Sequence, residues 1–110
     1  WSCEVFRRTT AAMRVNELLH WAVAGADEVS VAAASASKVF RSDVVQQLGL
    51  DLEEVVRQHG NPADPETAYL LDYLDRTSKR NLVLTFGGGV NEVQRELICM
   101  FGLGLPRVPR

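Results

Sequence analysis

Between Ser2 and Ala24, Val5, Thr9, Ala12, Met13, Asn16, Leu19 and Val23 recur at spacings of three and four, which predicts one buried face of an amphipathic helix. Arg7, Arg8, Arg14 and Glu17 fall largely off that stripe, and Gly25 with Asp27 ends it. A second helical pattern starts at Ser30 or Val31 and runs to about His59. It opens on small residues at 32–37, which permit close approach of a neighbouring backbone, and continues with Val39, Phe40, Val44, Leu48, Leu52, Val55 and Val56. Gly49 lies inside this pattern at a cost of about 1 kcal/mol relative to alanine, so a bend or a break into two helices is open there. His59-Gly60-Asn61-Pro62 closes the element, because glycine reaches positive φ and proline restricts the residue before it.

Asp64-Pro65-Glu66 reads as a cap, a first-turn proline and an acidic first turn, and predicts a third helix from that point. Its expected buried stripe uses Ala68 or Tyr69, Leu71 or Tyr73, Leu74, Leu82, Val83 and Phe86, with Asp72, Asp75, Arg76, Lys79 and Arg80 in water. Gly87-Gly88-Gly89 stops it. Asn91 is the expected cap of a fourth helix that turns Val93, Leu97, Ile98, Met100 and Phe101 inward before the 102–106 segment ends regular structure. Trp21, Phe40, Tyr73 and Phe101 are expected as packing residues. Period-two alternation is missing over any useful length, so the predicted fold class is all-α, an antiparallel four-helix up-down bundle joined by short connections.

Length narrows the picture: 110 residues make one domain, with a small core and a thin margin of stability that leaves room for partner surfaces. The formal net charge of −2 lacks the concentrated basic face that duplex binding needs, so nucleic acid is not an expected partner. Apolar runs fall short of the ~18–20 residues of a membrane span, and no basic segment leads into an apolar leader. Two cysteines, Cys3 and Cys99, read as buried or idle thiols of a reducing compartment, and the expected location is cytoplasmic. The chain opens at Trp1 with helical patterning already under way, and it is read as a piece of something longer.

Little of the chain carries chemistry on residue type alone. His20 and His59 lack a second good ligand three or four residues away, so no metal site is expected. Serines are not set on a glycine-flanked nucleophile elbow, and Glu53 with Glu54 or Asp72 with Asp75 read as solvated helix faces. The segment Thr85-Phe86-Gly87-Gly88-Gly89-Val90-Asn91 is different. Three consecutive glycines either turn at angles closed to other residues or let another body lie close. They precede a helix N-terminus, where unpaired N–H groups and the positive dipole end favour an anionic or strongly polar ligand group. A plain helix–helix turn is the rival reading.

The run Gly87-Gly88-Gly89-Val90-Asn91-Glu92-Val93-Gln94-Arg95, followed by Gly102-Leu103-Gly104-Leu105-Pro106-Arg107, resembles the C-terminal signature of the acyl-CoA dehydrogenase family. Ala34-Ser35-Ala36-Ser37-Lys38-Val39-Phe40 is similar to that family's Ala-Ser-x-Ala-Lys-x-Phe stretch, and Asn16-Glu17-Leu18-Leu19 falls where its preceding helix carries a similar pattern. The style is especially like actinobacterial dehydrogenases acting on CoA-linked steroid side chains and related acids. The resemblance implies that residues 1–110 form the C-terminal helical domain of a longer flavoenzyme, a dimer or tetramer of like or unlike subunits. Such an enzyme uses FAD, oxidises the α,β bond of an acyl-CoA thioester and passes electrons to an electron-transfer flavoprotein.

On that resemblance the candidate cofactor-binding residues are Gly87, Gly88, Gly89, Val90 and Glu92, with Gln94 and Arg95 beside them. Glu92 has a cap role as its alternative, and Arg95 a structural ion pair. Many family members place a glutamate base where this chain has Gly88, and a threonine or serine where it has Val90, so no catalytic residue is assigned here. Other members carry the base on an earlier helix, upstream of Trp1. A non-catalytic companion subunit, or an assembly module that completes a partner's flavin site, is the alternative reading.

Overall fold

The computed structural model describes residues 1–107; the last three positions of the domain assigned from the sequence lie outside the described residues. Four α-helices follow in order: α1 (Ser2–Ala24), α2 (Val31–His59), α3 (Pro65–Asn81) and α4 (Asn91–Gly102), with a 3-10 turn, Leu82–Thr85, between the last two. Strands are absent among the described residues, and the fold class is all-α as expected. Element starts follow the local chemistry. Ser30 Oγ accepts the Ala33 N–H at 3.2 Å at the head of α2, and Asp64 Oδ2 accepts the Thr67 N–H at 3.1 Å and the Thr67 hydroxyl at 2.9 Å at the head of α3. Pro65 occupies the first turn of α3, where its missing N–H costs nothing.

The three other helices all pack on α2. Helix α1 runs antiparallel to it along its length: Ser2 Oγ lies 2.7 Å from His59 Nε2, Arg8 reaches Asp51 at 3.7 Å, and Val23 shares a cleft with Ala34. Helix α3 returns over the C-terminal half of α2, where Gln46 Nε2 donates to the Asn81 carbonyl at 3.0 Å. Helix α4 then returns over the N-terminal half, with Gly102 beside Ala32 and Asn91 beside Ser42. The glycine turn is therefore held over the middle of α2. Helix α2 passes unbroken through Gly49, so the open question of a break there is answered by one continuous 29-residue helix.

Burial is shallow. Val5 is the one fully buried apolar residue among those described, and the other buried side chains are Ser35, Ser37, Ser42 and Asn91. The expected α1 stripe faces α2 except at Met13, which is exposed. Of the expected packing residues only Phe40 is half-buried; Trp21 (69%), Tyr73 (53%) and Phe101 (61%) face solvent. Leu82, Val83 and Phe86 are also exposed, because α3 stops at Asn81 and the 3-10 turn rotates them off its stripe. Both cysteines are free thiols; Cys3 is exposed, which leaves the idle alternative of its two expected roles, and Cys99 is half-buried.

The whole chain shows the same openness. Its surface of 7935 Å² exceeds the ~6,100 Å² typical of a compact 12.2 kDa monomer. Its radius of gyration of 17.3 Å likewise exceeds the ~13 Å of a compact chain of this length. Dimensions of 55 × 31 × 22 Å describe a slab built around one long helix. Among the described residues no helix is long and apolar enough to cross a membrane.

Candidate functional site at the glycine turn

After the 3-10 turn the chain closes on itself through Phe86 N–H and Gly87 N–H, both donating to the Val83 carbonyl at 3.0 Å, and Gly89 N–H donating to the Phe86 carbonyl at 3.2 Å. Gly88 sits at φ 72° and Gly89 at φ 101°, backbone conformations that side chains of ordinary handedness rarely adopt. A Cβ on Gly88 would meet open space, whereas one on Gly89 would lie 2.9 Å from Gln94 Nε2. Gly87 needs neither excuse, since its φ is ordinary and the nearest atom to a Cβ is the Val83 carbonyl oxygen at 3.6 Å. All three glycines are exposed. The turn thus presents bare main chain to solvent.

Side chains from α2 hold it from beneath. The Lys38 ammonium donates to the Thr85 carbonyl at 3.1 Å, the Gly89 carbonyl at 2.8 Å and Asn91 Oδ1 at 2.5 Å. Asn91, 3% exposed, returns its amide hydrogens to Ser42 Oγ at 2.9 Å and Asp43 Oδ1 at 2.8 Å. Gln46 Nε2 reaches Thr85 Oγ1 at 2.8 Å, and Gln94 Nε2 takes the Gly88 carbonyl at 2.8 Å. Carbonyl oxygens that would repel an anion are thereby occupied by donors.

Asn91 does not cap α4. Val90 stands at the cap position with φ −63° and ψ 151°, offers no side-chain acceptor, and leaves the N-terminus of α4 without a side-chain cap. The expected cap was overridden because burying the Asn91 amide among Lys38, Ser42 and Asp43 satisfies both its oxygen and its nitrogen. Glu92 is exposed in the first turn of α4, where its charge suits the positive helix end. Arg95 forms the ion pair foreseen as its structural role, reaching Asp43 Oδ2 at 2.7 Å with both side chains about half exposed.

A cleft of about 370 Å³ beside the turn is lined by Lys38, Arg41, Ser42, Val83, Leu84 and Gly87. It shares Lys38 and Arg41 with a second cleft of about 480 Å³ that runs toward His20 and Val23 on α1. The turn therefore borders a hollow with two cationic side chains. No acid or base side chain lies in the turn itself between Thr85 and Asn91, so this corner can position a ligand but cannot move a proton. Among the described residues no group of three or more His, Cys, Asp or Glu side chains could hold a metal ion.

The five residues singled out from the sequence form one continuous exposed edge, apart from the half-buried Val90. Sequence reasoning missed the support: Ser42, Asp43, Gln46 and the inward role of Asn91. Lys38 stood inside the quoted Ala-Ser-Ala-Ser-Lys stretch, yet nothing in its spacing announces contacts to residues 47–53 positions away.

No family model matches the chain. Over 101 residues it is 57% identical to the acyl-CoA dehydrogenase FadE29 of Mycobacterium tuberculosis, covering 91% of this chain and 26% of that protein. It is 36% identical to acyl-CoA dehydrogenase FadE26 of the same organism over 110 residues, covering 94% of this chain and 28% of FadE26. The crystal structure of the ChsE4–ChsE5 complex from Mycobacterium tuberculosis matches with a TM-score of 0.85 and 37% identity, over 99% of this chain and 28% of that one. A Tcur3481–Tcur3483 steroid ACAD matches with a TM-score of 0.82 and 30% identity, over 98% of this chain and 29% of that one. The chain spans about a quarter of the length of the curated relatives it matches. With sequence and fold agreeing over nearly all of its residues, the chain belongs to the acyl-CoA dehydrogenase family.

Proposed function

We propose that residues 1–110 are the C-terminal helical domain of a cytoplasmic, FAD-dependent acyl-CoA dehydrogenase, which removes hydrogen across the α,β bond of an acyl-CoA thioester. The observation that carries this reading is the exposed Gly87-Gly88-Gly89 main chain, pinned from behind by Lys38 and followed directly by the uncapped start of α4. These residues fit a flavin dinucleotide: the glycines keep side chains out of its way, and Gln94 and Lys38 occupy the carbonyls that would oppose its phosphates. Gly87, Gly88, Gly89, Val90 and Glu92 would border the cofactor through main chain and the Glu92 carboxylate, while Val90 offers no hydroxyl. Bound flavin supplies the hydride acceptor, an electron-transfer flavoprotein being the expected onward carrier.

The α-proton needs a carboxylate with a raised pKa in a dry pocket, and Gly88 cannot provide one. The base therefore comes from outside this turn, from an upstream helix or from another subunit. The steroid ACAD among the structural relatives points to a bulky steroid-linked thioester as the first substrate class to try. The test is to express the full-length protein and record its visible spectrum. Yellow flavin absorbance that bleaches when an acyl-CoA is added is expected; a colourless, unresponsive full-length oligomer overturns the reading.

A second reading has its own support. Gly88 in place of a base and Val90 in place of a hydroxyl suit a companion subunit that completes a partner's flavin site, and the ChsE4–ChsE5 relative is itself a complex of two proteins. The extended surface of 7935 Å² leaves ample area for such a partner. Coexpression with a neighbouring dehydrogenase subunit separates the two: flavin retained only by the mixed complex favours the companion role.

A further inference from the structure

We propose that Lys38 is the positioning residue of the glycine turn, setting the main-chain conformation that a ligand meets without touching that ligand itself. A single ammonium has three hydrogens to donate, and here all three are used: on Thr85 O before the glycines, on Gly89 O at their end and on the Asn91 side chain just after them. The turn is thus tied at both ends to one point on α2. Glycine is the residue that most needs such a tie, because its backbone loses the most freedom on ordering and Gly88 and Gly89 both sit at positive φ. Pocket walls do not supply the restraint, since a Cβ on Gly88 would find nothing within 4 Å.

Asn91 extends the device. Its amide couples Lys38 to Asp43, and Asp43 in turn holds Arg95 one turn further along α4, so the head of α4 and the glycine corner are fixed on the same stretch of α2. Hydrogen bonds donated by a charged group are the stronger class, so the ammonium outweighs the neutral Gln46 and Gln94 contacts. The consequence for flavin rests on the function proposed above, whereas the restraint on the turn does not.

The experiment compares full-length wild type, Lys38→Met, Asn91→Ala and, as a remote lysine control, Lys79→Met, whose ammonium meets only Asp75 on the outer face of α3. Amide hydrogen exchange is read across residues 86–91 and across α3, and flavin affinity and visible spectrum are read on reconstitution with FAD. Lys38→Met is expected to speed exchange at 86–91 by about tenfold or more while α3 is unchanged, to weaken flavin binding by about tenfold and to alter the spectrum of what remains bound. Lys79→Met is expected to change none of these. Unaltered exchange at 86–91 in Lys38→Met overturns the inference. Asn91→Ala leaves both carbonyl bonds of Lys38 in place, so residues 86–89 stay protected in it; loss of protection there gives the role to Asn91 and also overturns the inference, even should Lys38→Met fail to fold. A wild type that never takes up flavin defeats the functional reading alone, because the exchange comparison still decides the role of Lys38.

Discussion

Gly49 on α2 faces Ser78 on α3 so closely that a Cβ at position 49 would lie 2.7 Å from Ser78 Oγ. The glycine is therefore an approach point for a neighbouring helix. Helix propensity favours alanine at that position by about 1 kcal/mol, and only the serine oxygen stands in the way, Ser78 Cβ being at an ordinary 3.8 Å. Ser78 Oγ is also buried with no hydrogen-bond partner among the described residues, a burden of about 1–3 kcal/mol. The double variant Gly49→Ala/Ser78→Ala is expected to be more stable than wild type by about 1–2 kcal/mol, measured by chemical unfolding of the full-length protein. Gly49→Leu, which cannot be absorbed by turning one hydroxyl, is expected to destabilise. A destabilised double variant would mean that the two helices meet differently.

The three glycines of the turn are expected to separate under alanine scanning. Gly87→Ala fits its ordinary φ and its 3.6 Å contact, so unfolding should move by no more than ~0.5 kcal/mol. Gly88→Ala meets open space but a left-handed φ of 72°, at about 1–2 kcal/mol. Gly89→Ala combines a φ of 101° with displacement of Gln94 from the Gly88 carbonyl, and should cost about 2–3 kcal/mol. Flavin affinity gives the second axis. Gly87→Ala is expected to weaken it despite wild-type stability, because the one glycine the turn does not require is the one left for a ligand to approach; unchanged affinity would remove Gly87 from the site.

Acid should loosen the head of α3 through Asp64. Hydrogen bonds from the Thr67 side chain, then from its backbone N–H, hold the Asp64 carboxyl below its ordinary range. A folded value below the unfolded one means that the carboxylate stabilises the fold fully above the ordinary Asp value of about 3.9. That contribution is lost as pH falls through the depressed folded value. The Tm advantage of wild type over Asp64→Asn, whose neutral acceptor does not titrate in this range, is therefore expected at neutral pH and to shrink on acidification. A gap independent of pH would show that the cap acts without its charge.

Helix boundaries were legible because they depend on local chemistry. Ser30, the Asp64-Pro65 pair and the glycine run act on their own neighbours, and the elements begin or end beside them. The end of α3 was not legible. Leu82, Val83 and Phe86 continue an apolar pattern into a 3-10 turn that tilts them outward, and periodicity alone carries no information about the tighter winding. Asn91 misled for a related reason: its residue type suits a cap, but a long-range network offered it more partners than the helix end could. In the site, the exposed glycine edge could be found from sequence, whereas its anchoring by Lys38 depends on α2 crossing beneath residues about fifty positions later. Side-chain burial failed most at Trp21 and Phe101, since a pattern identifies which residues favour burial without naming the surface that covers them.

That uncovered surface yields the last prediction. Phe6, Met13 and Trp21 lie on one side of α1, turned away from α2, and are 71%, 66% and 69% exposed. Large apolar groups at helical spacing on a helix whose other side is already packed belong to a contact surface. In the assembled full-length protein the face is expected to be covered, so Trp21 emission, isolated as the difference between wild type and Trp21→Phe because Trp1 also emits, should lie at the blue end of the indole range. Phe6→Glu/Met13→Glu is expected to weaken assembly by about 3 kcal/mol or more, roughly a hundredfold in association, read by sedimentation across a dilution series. Lys79→Met, on the outer face of α3 with its ammonium paired to Asp75, removes a charge away from α1 and should leave assembly nearly unchanged. Solvent-like Trp21 emission together with an unaltered oligomer in the double variant would show that this face meets water in the whole protein, and the companion-subunit reading would then lose α1 as a contact surface.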